Sequence, residues 1–304
     1  MPLQLANQDP NFSIVVPGPC NARCAFCFWK PTDSGTTKQE YLRLLANTLI
    51  HLPPMFRQCS ITGGEPTASA YLLDILKLAR QRFEKVVLST NGFDLKPEHL
   101  QYIDHLNISR HDVTDSGNTN VFKTDSVPDT LELVNICHMA HKAGVDVTLN
   151  CVVRDSTPLS FYESYCDFAK LLQADAVCFR KEHGDLNDLP VENVINVTAP
   201  VLKEGGCPVC RTKTRNYRGI NTTWRYGVLE PSQVINDIYE LVFQQDGILT
   251  FDWKGEKPIL MPSVLGRLDP SWAPTPPLPP PLQSNFSITP ANSSGGGCHI
   301  GNHC

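Results

Sequence analysis

The chain has 304 residues, 41% hydrophobic and 19% charged, with a formal net charge of −5. That balance belongs to a globular protein with a sizeable core and carries no global sign of nucleic-acid binding. No run of about 18 apolar residues occurs, so no membrane span is expected, and residues 1–11 lack the basic-then-apolar order of a secretion signal.

Twelve cysteines need an explanation. Cys59, Cys137, Cys151, Cys166 and Cys178 fall in apolar strand or helix patterns and read as small buried hydrophobes. Secreted disulfide frameworks belong to shorter, core-poor chains. The other seven cysteines therefore point to metal chemistry in a reducing cytoplasm.

Residues 12–16 form an apolar run that reads as a short buried strand. Cys20, Cys24 and Cys27 follow it, spaced C-x3-C-x2-C. Three thiolates on one tight loop suit an iron–sulfur cluster better than zinc, because a closed structural zinc site usually takes four ligands as two pairs. A four-iron cluster held by three cysteines leaves one iron open to a reactive ligand. A helix is expected at 38–51, with Tyr41, Leu42, Leu45 and Leu49 on one face. The strand at 58–62 then runs into Gly63, Gly64, Glu65 and Pro66. Two glycines let backbone pass close to a ligand, and they place a carboxylate at a strand end.

The alternation continues with a helix at 71–82 and a strand at 85–90 that ends in the Asn91-Gly92 turn signal. A proline opens the next helix, at 97–103, before a strand at 105–109. A helix at 130–142 stops at Gly144, and a strand at 145–153, a helix at 158–172 and a strand at 176–180 complete the series. Residues 112–128 are polar and rich in Gly, Asn, Thr and Ser. They read as a long loop, either a lid or an inert insertion. Six β/α repeats predict a parallel sheet with helices outside, too few for a closed eight-stranded barrel. The expected fold is α/β, a partial (β/α)6 TIM-like barrel spanning residues 1–200. Reactive groups in such barrels sit at the C-terminal ends of the strands, which singles out Ser89, Asn91, Ser109, Arg110, Asn150 and Arg180.

Residues 201–260 read as a C-terminal β-hairpin and cysteine-containing extension. It holds a C-x2-C knuckle, Cys207 and Cys210, and short strands at 224–229, 239–243 and 249–253. Asp246-Gly247 is a hairpin signal between the last two. Residues 261–304 read as a Pro-rich arm, with nine prolines from 262 to 290, and a Cys/His tail. Cys207, Cys210, Cys298 and Cys304 form a candidate second site, and His299 or His303 could replace one cysteine. Auxiliary [4Fe–4S] cluster and zinc are both open, since both accept four thiolates. Residues 211–218 carry Arg211, Lys213, Arg215 and Arg218 among hydroxyls and Tyr217. That segment suits phosphate groups, or is an ordinary solvated basic loop.

The three-cysteine loop behind a strand, with Phe26 just before the last cysteine and Gly63 to Pro66 one β/α unit later, resembles the radical S-adenosylmethionine (radical SAM) superfamily. The resemblance implies that Cys20, Cys24 and Cys27 hold a [4Fe–4S] cluster whose open iron chelates SAM. An electron supplied by a flavodoxin- or ferredoxin-type donor would cleave SAM to a 5′-deoxyadenosyl radical that abstracts a hydrogen atom from substrate. Phe26, Gly63, Gly64, Glu65, Pro66 and the six strand-end residues would position SAM. The substrate is open between a nucleotide or nucleic-acid base, favoured by the basic segment, and a ribosomally made peptide, favoured by a second cluster. A non-catalytic zinc or iron–sulfur redox sensor is the alternative of another class.

Overall fold

The structure, a computed structural model, describes residues 10–27, 29, 35–154, 156–182, 201–204, 213–225, 240–253, 255 and 259. In chain order the first part runs β1 (Asn11–Val16), α1 (Lys38–His51), β2 (Gln58–Gly63), α2 (Leu72–Arg82), β3 (Lys85–Thr90), α3 (Pro97–Leu100) and β4 (His105–Ser109). It continues through α4 (Asp115–Phe122), α5 (Thr130–Lys142), β5 (Asp146–Val153), α6 (Leu159–Leu171) and β6 (Ala176–Lys181). β1 to β6 pair in sequence order, all parallel.

Side chains alternate across a strand, and here the two faces differ in chemistry. Phe12, Ile14, Ile61, Ile108, Leu149 and Phe179 join the helices in one buried core. The opposite face carries Ser13, Ser60, Ser89, Asn107, Asn150 and Arg180, all buried. An open parallel sheet with helices on both faces would be apolar on both. A polar second face is what a curved, barrel-like sheet with helices on its outer side alone would show.

Two expectations are corrected. Residues 112–128 are not a continuous loop, because α4 lies within them. Its N-cap is Thr114, whose hydroxyl accepts from the Gly117 amide at 3.1 Å, and Lys123 ends it in the left-handed conformation (φ 57°). The Ser/Thr/Asn/Gly composition that suggested a loop conceals a good N-cap.

The described strands of residues 201–260 extend the same sheet. β9 (Ile220–Arg225) pairs parallel with β6, and β10 (Glu240–Phe243) pairs parallel with β1. β11 (Leu249–Thr250) extends one edge, and β8 (Lys213–Tyr217) and β7 (Val201–Glu204) extend the other, so the described residues form one open sheet.

The basic segment is no solvated loop, since residues 213–217 are β8. Arg215 is buried, in register with Thr222, which meets Cys166 of α6 on the helix side. Arg218, in the following turn, pairs with Asp167 at 2.6 Å. Arg211, Cys207, Cys210, Cys298, His299, His303, Cys304 and the proline arm lie outside the described residues.

Cys59, Cys137, Cys151, Cys166 and Cys178 are buried, as the pattern predicted. Burial pushes the Cys137 thiol up to about 12 and that of Cys166 to about 11. Among the described residues no helix is long and apolar enough to cross a membrane.

Candidate active site

The cysteine loop leaves the C-terminal end of β1 and is fastened by four separate elements. At its start Gly18 (φ 140°) passes so close to Ser69 that a Cβ there would lie 3.1 Å from the serine side chain, and the Ser69 hydroxyl donates to Pro17 O. The Glu65 amide donates to Pro19 O at 3.4 Å. The Asn91 amide group donates to Asn21 Oδ1 at 2.8 Å. The Arg23 amide donates to Phe122 O, the last carbonyl of α4, at 2.8 Å. The Phe26 ring stands edge-on to His111, centroids 4.9 Å apart.

Within the loop, Cys27 N donates to Cys24 O at 3.2 Å and Ala22 N to Cys20 Sγ at 3.4 Å. Cys27 is exposed and Cys20 and Cys24 are half-buried. Burial pushes the Cys20 and Cys27 thiols up, partly offset by hydrogen bonds from Ala22 and with Trp29 respectively.

Glu65 is the internal brace. Its carboxylate is buried and accepts from Thr67 N (3.0 Å), Thr67 Oγ1 (2.7 Å) and Thr90 Oγ1 on one oxygen, and from Asn91 N (2.7 Å) on the other. Burial pushes the carboxyl up, and these four donors pull it back. One side chain thus ties the end of β2 to the end of β3, while its own amide holds the cysteine loop. The glycines before it are needed for space. A Cβ on Gly63 (φ 155°) would sit 2.7 Å from Val16 O of β1, and one on Gly64 would enter the Trp29 ring.

The other predicted residues divide. Ser89, Asn91, Asn150 and Arg180 are buried at the C-terminal half of the sheet, on its polar face or the turn beyond, and Ser109 is half-buried at the end of β4. Arg110 has the opposite parity. It stacks over Phe168 of α6 at 5.2 Å, donates to Asp112 O, Val113 O and Pro128 O, and pairs with Asp115 at 2.8 Å. Its guanidinium therefore anchors residues 112–128 and is not aimed across the mouth.

Sequence reasoning missed His111. Its Nδ1 accepts from Val152 N at 3.2 Å, its ring packs between Phe26 and Phe122, and burial takes its pKa down to about 3. The ring is therefore neutral with its hydrogen on Nε2. Beside it opens a cavity of about 390 Å³, with Phe26, His111, Val152, Arg154 and Phe161 in its wall. A lone histidine just past a strand end gave no periodic signal.

The donor set fits an iron–sulfur cluster. Cys20, Cys24 and Cys27 bring three thiols to one loop, and each cysteine of a [4Fe–4S] cluster serves a different iron. Two polar atoms at this site, Asn21 Nδ2 and Trp29 Nε1, are buried without a hydrogen-bond acceptor, as expected of a cradle that a polar ligand completes.

The Radical SAM superfamily profile matches residues 14–174, and the chain belongs to that superfamily. It is 28% identical over 175 residues to an S-adenosylmethionine-dependent nucleotide dehydratase of Flammeovirga pacifica, covering 53% of this chain and 59% of that protein. It is 26% identical over 161 residues to a GTP 3′,8-cyclase of Nostoc sp., 48% of each. The chain thus spans about half the length of these curated relatives. SuiB of Streptococcus suis bound to S-adenosylmethionine superposes with a TM-score of 0.56 at 14% identity, over 84% of this chain and 60% of that one. The structure of anSMEcpe with bound AdoMet gives 0.51 at 12%, over 82% and 77%. At such identities the likeness is one of fold. That superfamily is one of enzymes that use a [4Fe–4S] cluster and SAM.

Proposed function

We propose that Cys20, Cys24 and Cys27 ligate the cluster and that the enzyme removes a hydrogen atom from a nucleotide or nucleic-acid-base substrate. The observation that carries the substrate class is the relatedness to enzymes named for acting on nucleotides, across the segment that forms the sheet and the cysteine loop. When bound, the cluster and SAM supply a carbon radical able to take that hydrogen.

The chain's own residues do the rest. Glu65 and Asn91 hold the cysteine loop over the strand ends, and the backbone of Gly63 and Gly64, packed against Val16 and Trp29, is assigned to the methionine end of SAM. Pro66 starts the turn that aims Glu65. Ser89, Ser109 and Asn150 offer hydroxyl and amide groups to the polar parts of SAM. Phe26 and His111 close the loop's far side and exclude water from a reactive centre. An external flavodoxin- or ferredoxin-type protein delivers the electron, and the reaction belongs in a reducing cytoplasm. Arg110 is assigned to anchoring α4. The second four-thiolate site, [4Fe–4S] or zinc, is tested by iron and zinc content after Cys207→Ala/Cys210→Ala.

The test is anaerobic reconstitution followed by incubation with SAM, reductant and each ribonucleotide. A nucleotide that accelerates 5′-deoxyadenosine release, and passes its deuterium into that product, is the expected result. Acceleration by peptides and by no nucleotide or oligonucleotide would overturn the substrate class.

A further inference from the structure

His111 has one polar atom that the fold does not use. A backbone N–H can only donate, so the bond from Val152 N makes Nδ1 an acceptor and leaves the ring's hydrogen on Nε2. That N–H meets no acceptor among the described residues, although the residue is only 9% exposed. Nor is it sealed inside protein. It opens on the cavity whose wall the ring helps to form.

That cavity, of about 390 Å³, falls in the usual range for small-molecule sites, and it is graded from one end to the other. Phe26, His111, Val152 and Phe161 are buried or half-buried and make an inner part that is mostly aromatic. Lys123 and Arg154 are exposed and stand at the rim. Arg154 is paired with Glu182 at 3.0 Å. The Lys123 ammonium meets no anion among the described residues, and no carboxylate belongs to the wall. A ligand that matches this has a flat apolar body, a hydrogen-bond acceptor on its edge and an anionic group at its outer end. Aromatic rings hold a nucleobase by its faces and edges. A fixed N–H selects a ring nitrogen or carbonyl oxygen, and a free ammonium pairs with phosphate. We infer that the cavity is the substrate's subsite, holding a nucleotide base between Phe26 and Phe161 with His111 Nε2 donating to it, and the phosphate at Lys123. The inference rests on the nucleotide reading and gives that substrate a place. Of the residues assigned to SAM, Phe26 alone lines the cavity, so its ring is the wall between substrate and cofactor.

Calorimetric titration of the reconstituted full-length protein, with SAM saturating, tests the subsite. The probes are the ribonucleoside 5′-monophosphates and their parent nucleosides. At least one monophosphate should bind. Lys123→Gln should weaken it by about tenfold and leave its nucleoside within about twofold. His111→Phe keeps a ring and removes the donor, and should weaken nucleotide and nucleoside alike by about tenfold. Val121→Trp, which fills the cavity from α4, should abolish both, and the surface variant Arg43→Gln should change neither. If His111→Phe does not fold, the exposed Lys123 and half-buried Val121 decide. Equal binding in all variants, no binding, or binding that saturating SAM abolishes would overturn the subsite, and the last result would give the cavity to SAM. Binding that follows these residues, in an enzyme that consumes no nucleotide, would uphold the subsite and overturn the nucleotide reading. Nucleotide turnover with unchanged KM in Lys123→Gln and Val121→Trp would do the reverse.

Discussion

Around β1 to β3, most of the groups that hold the cysteine loop come from short, contiguous stretches of chain, residues 17–27, 63–69 and 89–92, with His111 and Phe122 as the exceptions. Around the neighbouring cavity, His111 and Val152 are far apart in sequence and meet only because β4 and β5 pair in one particular register. The first region is built by backbone, through Gly63, Gly64 and the amide bonds of Glu65 and Arg23. The second is built by side chains on a wall. A motif that works through local backbone geometry tolerates little change and leaves a recognisable string. A site assembled by strand register leaves only an alternation, which a shift of one residue would invert.

That contrast can be broken experimentally, most severely at the loop. Cys24→Ala should abolish SAM cleavage and the cluster's visible absorption while leaving far-UV circular dichroism unchanged, since Cys24 is not part of the buried core. Glu65→Gln comes next. It turns an amide hydrogen toward groups that already donate, at a cost of about 2–3 kcal/mol, and should lower both the unfolding midpoint and iron retention after desalting. Arg110→Met should cost about 2–3 kcal/mol in denaturant unfolding, because three carbonyls lose their donor. It should leave the SAM affinity of cluster-loaded protein within about twofold, and a larger loss would restore Arg110 to the SAM site.

The effect absent at neutral pH is acid sensitivity. Burial takes His105 down to about 4 and His111 to about 3. Both stay neutral in the folded protein but take up protons once unfolded below the ordinary histidine value. Stability should therefore be complete above pH 6.5 and decline as pH falls from 6.5 toward 4, by up to about 1.4 kcal/mol per unit for each residue. His105→Gln should flatten that slope in pH-dependent urea unfolding.

The same contrast explains what could be read from the sequence. Apart from α4, the helices and strands through residue 182 announce themselves by period or by a proline start, and the cysteine loop and Gly63 to Pro66 by spacing. α4 was hidden because Ser116, Gly117 and Asn118 mask the Thr114 cap. The places of β9 and β10 were hidden because nothing local says that two C-terminal strands will each join an edge of a sheet begun 200 residues earlier. Parity settled Arg110, since it falls in step with Leu106 and Ile108, and that alternation was present in the sequence although position at a strand end was given more weight. His111 and Lys123 gave no local signal at all.

The account's central claim is an iron site on Cys20, Cys24 and Cys27 with one position left for SAM. Electron paramagnetic resonance of the anaerobically reconstituted, dithionite-reduced protein, recorded with and without SAM, addresses it directly. In the Cys207→Ala/Cys210→Ala background, which removes any second cluster, the account predicts a [4Fe–4S]⁺ signal that shifts on adding SAM and is lost on the further change Cys24→Ala. In that background a cluster signal indifferent to SAM, or one retained after Cys24→Ala, would contradict it.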